Sequence, residues 1–566
     1  MNKLLSIAAL SLLACTASFA QTATTKKETP KNWHQLDQKE TGFYGISLDK
    51  AYNFLKSRNA KSKTVVVAVI DSGIDTTHED LKAILWTNPK EIPGNGIDDD
   101  HNGYVDDVHG WNFIGGKDGR NVKENSLEVA RVYHGLKSKY EGKEESQIDP
   151  KDLWEFRMWK KSEKAITPEE DPNKPPIDLL KSLYTSSLKN DSLIKIGIGK
   201  VIYTGNELDS FKAGNTDEKA AKTKFLQLFK LNQAMSSTNK EMLDELNDYI
   251  TQEEATAQRN LTQKSIPPVD NRGEIVKDDE TNVNDRYYGN NDIMANTPFH
   301  GTHCSGIIAA VRNNGKGVDG IADNVRIMMV RAVPDGDEHD KDIANAIRYA
   351  VDNGAQIISM SFGKDFSPQK QWVDEAVKYA ESKGVLLVHA AGNDSKNVDT
   401  EDNFPSPVSK DGKYRASNWI SVGASGDPTN GGLTASFSNY GKKEVDVFSP
   451  GVQINSTIPG GNTYGKASGT SMACPVVAGI AALVLEYNPT LSARQLKYVI
   501  EKSAQQPSIK VIKPGTDESV DLSDLSKTGG LVNAYEALKL AATLKGERKA
   551  ANVTLPKPKM VHQKKG

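Results

Sequence analysis

Cysteine is scarce in this chain, with only Cys15, Cys304 and Cys474 among 566 residues. That excludes a disulfide framework as the source of its stability and leaves Cys304 and Cys474 as two buried free thiols or, alternatively, one bridge. An excess of charge of one sign is lacking too: 71 Lys and Arg against 74 Asp and Glu leave a formal net charge of −3. Such balance argues against a broad electrostatic surface for nucleic acid. The apolar run at residues 4–14, behind Met1-Asn2-Lys3, is too short for a transmembrane helix and has the length of a secretory signal. Ser18-Phe19-Ala20 supplies small residues for cleavage before Gln21, so residues 1–20 are expected to be a signal peptide and 21–45 a polar leader. Leu12-Leu13-Ala14-Cys15 offers the alternative of a lipid anchor on Cys15. The chain is expected to be exported, to the periplasm or the medium, or as an outer-membrane lipoprotein in the alternative.

With 37% hydrophobic residues, the chain has enough apolar material for a large core. Residues 65–70 are a continuous β-branched run, the pattern of a strand buried on both faces. Strand and helix patterns then alternate from residue 326 onward, with strands expected at 326–333, 356–360, 385–389, 419–422 and 445–448 and helices at 342–353 and 369–383. Alternation of this kind implies an α/β fold, a mostly parallel sheet flanked by helices.

Three polar residues stand at the ends of these patterns. Asp71 follows the first strand run, where open α/β sheets place ligands, although a turn aspartate has the same look. His300 opens the apolar helix of His300-Gly301-Thr302-His303-Cys304. The i, i+3 histidine pair lacks the glutamate of a zinc-protease motif, and His303 reads as a packed structural residue. Ser471, in Gly469-Thr470-Ser471-Met472-Ala473, heads a helix that is apolar all round, with Pro475 in its first turn if Ser471 is the N-cap. A serine so placed enjoys free backbone N–H groups and the positive end of the helix dipole. Asn393 ends another strand as either a turn residue or an amide donor.

The order Asp, His, Ser is diagnostic among serine hydrolases, and a lipase-like elbow is unlikely because the only histidine after Ser471 is His562. At this point the chain resembles the subtilisin-like serine proteases, the subtilases. The resemblance rests on Val67-Ala68-Val69-Ile70-Asp71-Ser72-Gly73-Ile74-Asp75, His300-Gly301-Thr302-His303, Ala390-Ala391-Gly392-Asn393 and Gly469-Thr470-Ser471-Met472-Ala473, supported by Ala435-Ser436-Phe437-Ser438-Asn439-Tyr440-Gly441 and Ser449-Pro450-Gly451. It implies a serine endopeptidase acting on protein or peptide substrates, with Ser471 as nucleophile, His300 as general base, Asp71 orienting the imidazole, and Asn393 with the Ser471 N–H as oxyanion hole. It further implies that Ser361-Phe362-Gly363 pairs with extended substrate. Cys304 stands where the family usually has an aliphatic residue, and Val476 where a histidine is common. The leader is expected to be too short for the usual inhibitory prodomain.

Residues 98–106 read as a calcium loop, with Asp98, Asp100, Asn102, the Tyr104 carbonyl and Asp106 at ligand positions. His109 stands where an EF-hand needs glutamate, so the shell is incomplete, and structural calcium is expected as cofactor. Residues 117–285, rich in Lys and Glu, carry helical apolar faces such as Phe225, Leu226 and Phe229, or Met242, Leu243, Leu246 and Ile250. They are expected to be an inserted helical subdomain between the parts of a catalytic domain at 46–116 and 286–545, with a basic tail at 546–566. Two alternatives stand beside a general protease: a processing enzyme directed by the insertion, and a silent fold used for binding.

Overall fold

The computed structural model describes residues 29–166, 175–232, 234–428 and 431–548. The expected signal peptide, Cys15 and most of the basic tail lie outside them.

Seven strands form one sheet: β1 (Val65–Asp71), β2 (Gly110–Asn112), β3 (Val325–Arg331), β4 (Ile357–Met360), β5 (Leu386–Ala390), β6 (Trp419–Ser425) and β7 (Val447–Pro450), in the order β2-β3-β1-β4-β5-β6-β7. Every pairing is parallel, with Asp71 opposite Arg331 and Ile70 opposite Met360. All seven residues of β1 are buried, as a β-branched run covered on both faces must be. The strand ends lie within three residues of the sequence reading, and those at Val65, Met360 and Trp419 coincide with it. A further hairpin of β8 (Ile454–Ile458) and β9 (Thr463–Ala467) leads into the serine-bearing helix.

The α-helices of eight residues or more, in chain order among the described residues, are α1 (Leu48–Ser57), α2 (Glu128–Tyr140), α3 (Leu153–Ala165), α4 (Ile177–Ile198), α5 (Thr216–Leu231), α6 (Asn239–Thr262), α7 (Phe299–Ala309), α8 (Asp340–Asp352), α9 (Lys370–Ser382), α10 (Thr470–Tyr487), α11 (Ala493–Ser503) and α12 (Ala534–Ala541). One core, on the α7 and α10 side, joins Val67, Val69, Ile308, Val388, Val477 and Ile480; the other, under α8 and α9, joins Ala68, Ile70, Ile347 and Val377. Although α10 is apolar enough to cross a membrane, it is almost wholly buried here, as the central helix of a core.

Residues 177–250 build a separate cluster around Phe225, Phe229, Leu246 and Tyr249. The periodic apolar faces expected from the sequence meet one another there.

Candidate active site

The sheet delivers Asp71 at the C-terminal end of its interior strand β1, and α7 delivers His300 in its first turn. Close approach of the two is possible because residue 301 is glycine: a Cβ there would lie 2.2 Å from the Gly73 carbonyl oxygen. The His300 Nδ1–H donates to Asp71 Oδ1 and Oδ2 at 2.8 and 3.0 Å, and Asp71 Oδ1 also accepts the Ser72 N–H at 2.7 Å. Asp71 is 2% exposed, whereas the His300 side chain retains 36% exposure toward the cleft. Burial opposes a charged imidazole, but the adjoining Asp71 carboxylate outweighs it and holds the His300 pKa well above the ordinary histidine value.

The serine helix corrects the sequence reading in one respect. Gly469, not Ser471, is the N-cap, so Ser471 is the second helical residue and Pro475 the sixth. Pro475 has no N–H to offer the carbonyl four residues back, which is that of Ser471. That freed carbonyl accepts Ser361 Oγ at 3.0 Å and Cys304 Sγ at 3.4 Å. In return, Ser471 Oγ donates to the Ser361 carbonyl at 3.0 Å. A hydrogen bond from Ser471 Oγ to His300 would require rotation of the serine about χ1, the kind of loose geometry common in ligand-free active sites.

Asn393 is fixed by its neighbours. Its Oδ1 accepts both the N–H and the Oγ1–H of Thr470 at 2.9 Å, which orients the amide and turns Nδ2 toward Gly469 and Ser471. Gly392, at φ +101°, has no room for a Cβ, which would meet Asn439 Nδ2 at 2.3 Å. The Ser471 N–H lies in the first helical turn, where no intrahelical acceptor exists.

Lys364 exchanges both main-chain bonds with Phe404, so Gly363 faces the other way, toward the cleft. Across from it, Asp335 pairs outward with Lys123 and Asn125. Among the described residues, the main-chain groups of Gly363 and Gly336 have no hydrogen-bond partner, leaving a slot with two free edges. Sequence reasoning missed Asn403, whose Oδ1 would meet a Cβ on Gly363 at 2.8 Å and whose Nδ2 donates to the Ala391 carbonyl. It also missed Arg331, a buried guanidinium that ties together Ser72, Asn112, Val122 and Thr297 beside the dyad, its pKa lowered by burial to about 10. No motif marks either residue, since both act through partners distant in sequence.

Both Cys304 and Cys474 are free and buried. Cys304 Sγ lies 3.9 Å from His300 Nδ1, while Cys474 faces the Val388 carbonyl and is pushed up to about 12 by burial. His303 contacts the Gly465 carbonyl, and burial lowers its pKa to about 4.

The acidic loop brings together Asp98, Asp100 and Glu91, whose carboxylate oxygens lie within 4.8 Å of one another. Glu91 is 7% exposed, and its Oε2 has no hydrogen-bond partner, an orphaned oxygen that suits a cation. Asp106 is turned elsewhere: Oδ1 accepts the Gly94 and Asn95 N–H groups and Oδ2 that of Gly96. Asn102 bridges between the Tyr104 N–H and Asp107, and the Tyr104 ring packs against Trp111 and Tyr349. The clustered oxygens of Glu91, Asp98 and Asp100 fit a hard cation.

A parallel sheet that presents an acid, a histidine and a helix-borne serine in that chain order is the frame of a serine hydrolase. The chain belongs to the subtilase family, whose members hydrolyse peptide bonds: the family model matches residues 62–530. It is similar to a thermophilic serine proteinase of Bacillus sp. (strain AK1), 43% identical over 210 residues, which make 37% of this chain and 47% of that protein. Similarity extends to thermitase of Thermoactinomyces vulgaris, 37% over 253 residues, 44% of this chain and 79% of thermitase. Subtilisin E of Bacillus subtilis (strain 168) is 40% identical over 208 residues, 36% of this chain and 50% of the relative. The matched part thus spans about half the length of two of these relatives and most of thermitase.

Proposed function

We propose that the protein is an exported serine endopeptidase that hydrolyses peptide bonds through an acyl-enzyme on Ser471. The observation that carries this reading is the Asp71–His300 pair, at 2.8 and 3.0 Å, set beside a helix-borne serine and an oriented Asn393 amide. Ser471 Oγ attacks the scissile carbonyl carbon as its proton passes to His300 Nε2, and Asp71 stabilises the imidazolium. The new oxyanion is held by Asn393 Nδ2 and the Ser471 N–H. Collapse breaks the C–N bond, the leaving amine takes the proton from His300, and water repeats the sequence to release the acid. Extended substrate lies in the slot between Gly336 and Gly363, bonded through its main chain, with Ser361-Phe362-Gly363 as one wall.

In this reading residues 46–116 and 286–545 are the catalytic domain and 117–285 an inserted subdomain. Calcium would be held by Glu91, Asp98 and Asp100, with Asn102 and the Tyr104 carbonyl available to complete the shell. The ion would neutralise clustered carboxylates and pin the loop that leads into β2. Export rests on the signal-like residues 1–20, with the lipid anchor on Cys15 as its variant.

The test is labelling of purified protein with a serine-reactive fluorophosphonate, read by intact mass, with Ser471→Ala alongside. One adduct on the wild type and none on the variant is expected. An unlabelled wild type at saturating calcium would sink the proposal.

A further inference from the structure

The helical region touches the sheet layer on two flanks of the cleft. At one flank, the Glu128 N–H at the start of α2 donates to Asp337 Oδ2, and Arg131 donates to the Asp337 and Glu338 carbonyls. Lys364, directly after Gly363, reaches across to Glu128 Oε2 and to the Glu338 carbonyl, both at 2.7 Å. Both walls of the substrate slot are thus tied to α2 just beyond Gly336 and Gly363. At the other flank, Ser237 Oγ donates to Gln453 Oε1 at 3.4 Å and Lys466 Nζ to Ser236 Oγ at 3.1 Å. Lys466 belongs to β9, and Gln453 donates its N–H to Ser468 Oγ, three residues before Ser471.

One element joins these footings. α6 begins at Asn239, beside Ser236 and Ser237, and its 24 residues extend about 36 Å. Just past its far end, the Gln263 carbonyl contacts His134 Nε2 in the middle of α2 at 2.7 Å, and Gln263 Nε2 donates to the Ile166 carbonyl at the end of α3. Ser471 follows Ser468 of one footing by three residues and contacts Ser361, three residues before Lys364 of the other. Met242, Leu246, Tyr249 and Ile250 turn the apolar side of α6 onto α4 and α5, not down onto the sheet. His300 meanwhile keeps its solvent exposure.

We infer that α6 is a beam across the catalytic cleft, so that the enzyme takes extended, unfolded chain segments and excludes loops on the surface of folded proteins. This deepens the peptidase reading and rests on it. A helix is about 10–12 Å thick, and extended chain advances about 3.3 Å per residue. A folded domain beside the scissile bond must therefore stand off by about 3–4 residues more than an open cleft would require.

The experiment uses one quenched fluorescent peptide joined to a small stable domain through linkers of 2 to 14 residues. Wild type is compared with a variant whose residues 177–262 are replaced by a short Gly-Ser linker. For wild type, kcat/KM is expected to fall at least about 10-fold as the linker shortens, while the free peptide is cut at full rate. In the variant the fall is expected at linkers 3–4 residues shorter. Wild type that cuts the short-linker fusion as fast as the free peptide overturns the beam, and that result stands even if the variant fails to fold. Absence of both fluorophosphonate labelling and free-peptide cleavage would instead overturn the peptidase reading itself.

Discussion

The sheet layer and the helical region are held together in different ways. In the sheet layer, strands buried from end to end and α10 at the centre fix the backbone, and the polar residues of the site sit where that backbone stops. The helical region has a small core of its own and a surface of exposed ion pairs such as Lys181–Glu254 and Lys240–Asp244, each worth little in water. It joins the sheet layer through Glu128–Lys364, through Arg272, which pairs with Asp278 and Asp342, and through an apolar cluster in which Phe366 packs with Val132, Phe156 and Trp159. The site's geometry thus rests on continuous packing, and the junction between the regions on a few buried charges and one apolar cluster. Each region should accept damage that the other does not feel.

The sharpest break is chemical. Ser471→Ala and Asp71→Asn are each expected to lower kcat by about 10⁴-fold or more, read with a peptide substrate, with unchanged hydrogen exchange in α4–α6. Phe229→Ala, in the helical core, is expected to cost about 3–5 kcal/mol of local stability. Hydrogen exchange in α5 and α6 reads the loss, while the fluorophosphonate labelling rate of Ser471 stays at the wild-type value. Loss of labelling would show that the two cores are one cooperative unit.

Asn393→Ala should reduce kcat by about 10²–10³-fold with KM near wild type, because Nδ2 meets charge that exists only in the transition state. Glu91→Gln should weaken the stabilisation by calcium, which for a site at 100 times its Kd is about 2.7 kcal/mol. Asp106→Asn should lower Tm with the calcium response intact, since Asp106 caps residues 94–96. Equal loss of the calcium response in both variants would return Asp106 to the ligand set.

The smallest effect is in pH. The pKa of His300 in the fold is raised above its ordinary value, so its contribution to stability is full below about pH 6.5 and is lost as pH rises through the raised pKa. Activity runs the opposite way, because the base must be neutral. The acid limb of kcat/KM should lie above that ordinary value and move to lower pH in Asp71→Asn.

Much of this was legible because it is local. A β-branched run ending in Asp71, or a glycine-flanked serine before an apolar helix, declares itself within ten residues. The apolar faces around Phe225 and Met242 were equally readable from their helical period. The spacing of Asp106 matches a calcium loop, whereas its carboxylate accepts three N–H groups that only the folded loop brings near. Pro475 was placed in the first turn because the N-cap falls two residues earlier than the serine suggests. Asn403 and Arg331 carry no pattern at all.

By itself, the sequence determined the family, the α/β layering and which acid, histidine and serine stand at strand and helix ends. These follow from side-chain periodicity and from what a turn can tolerate, which are properties of neighbouring residues. Tertiary structure alone decided that Glu91 joins Asp98 and Asp100, that the freed Ser471 carbonyl clasps Ser361, and that α6 reaches from the hairpin beside Ser471 to α2. Each depends on the direction of a side chain or an axis after distant segments have packed, and spacing along a chain does not encode direction in space.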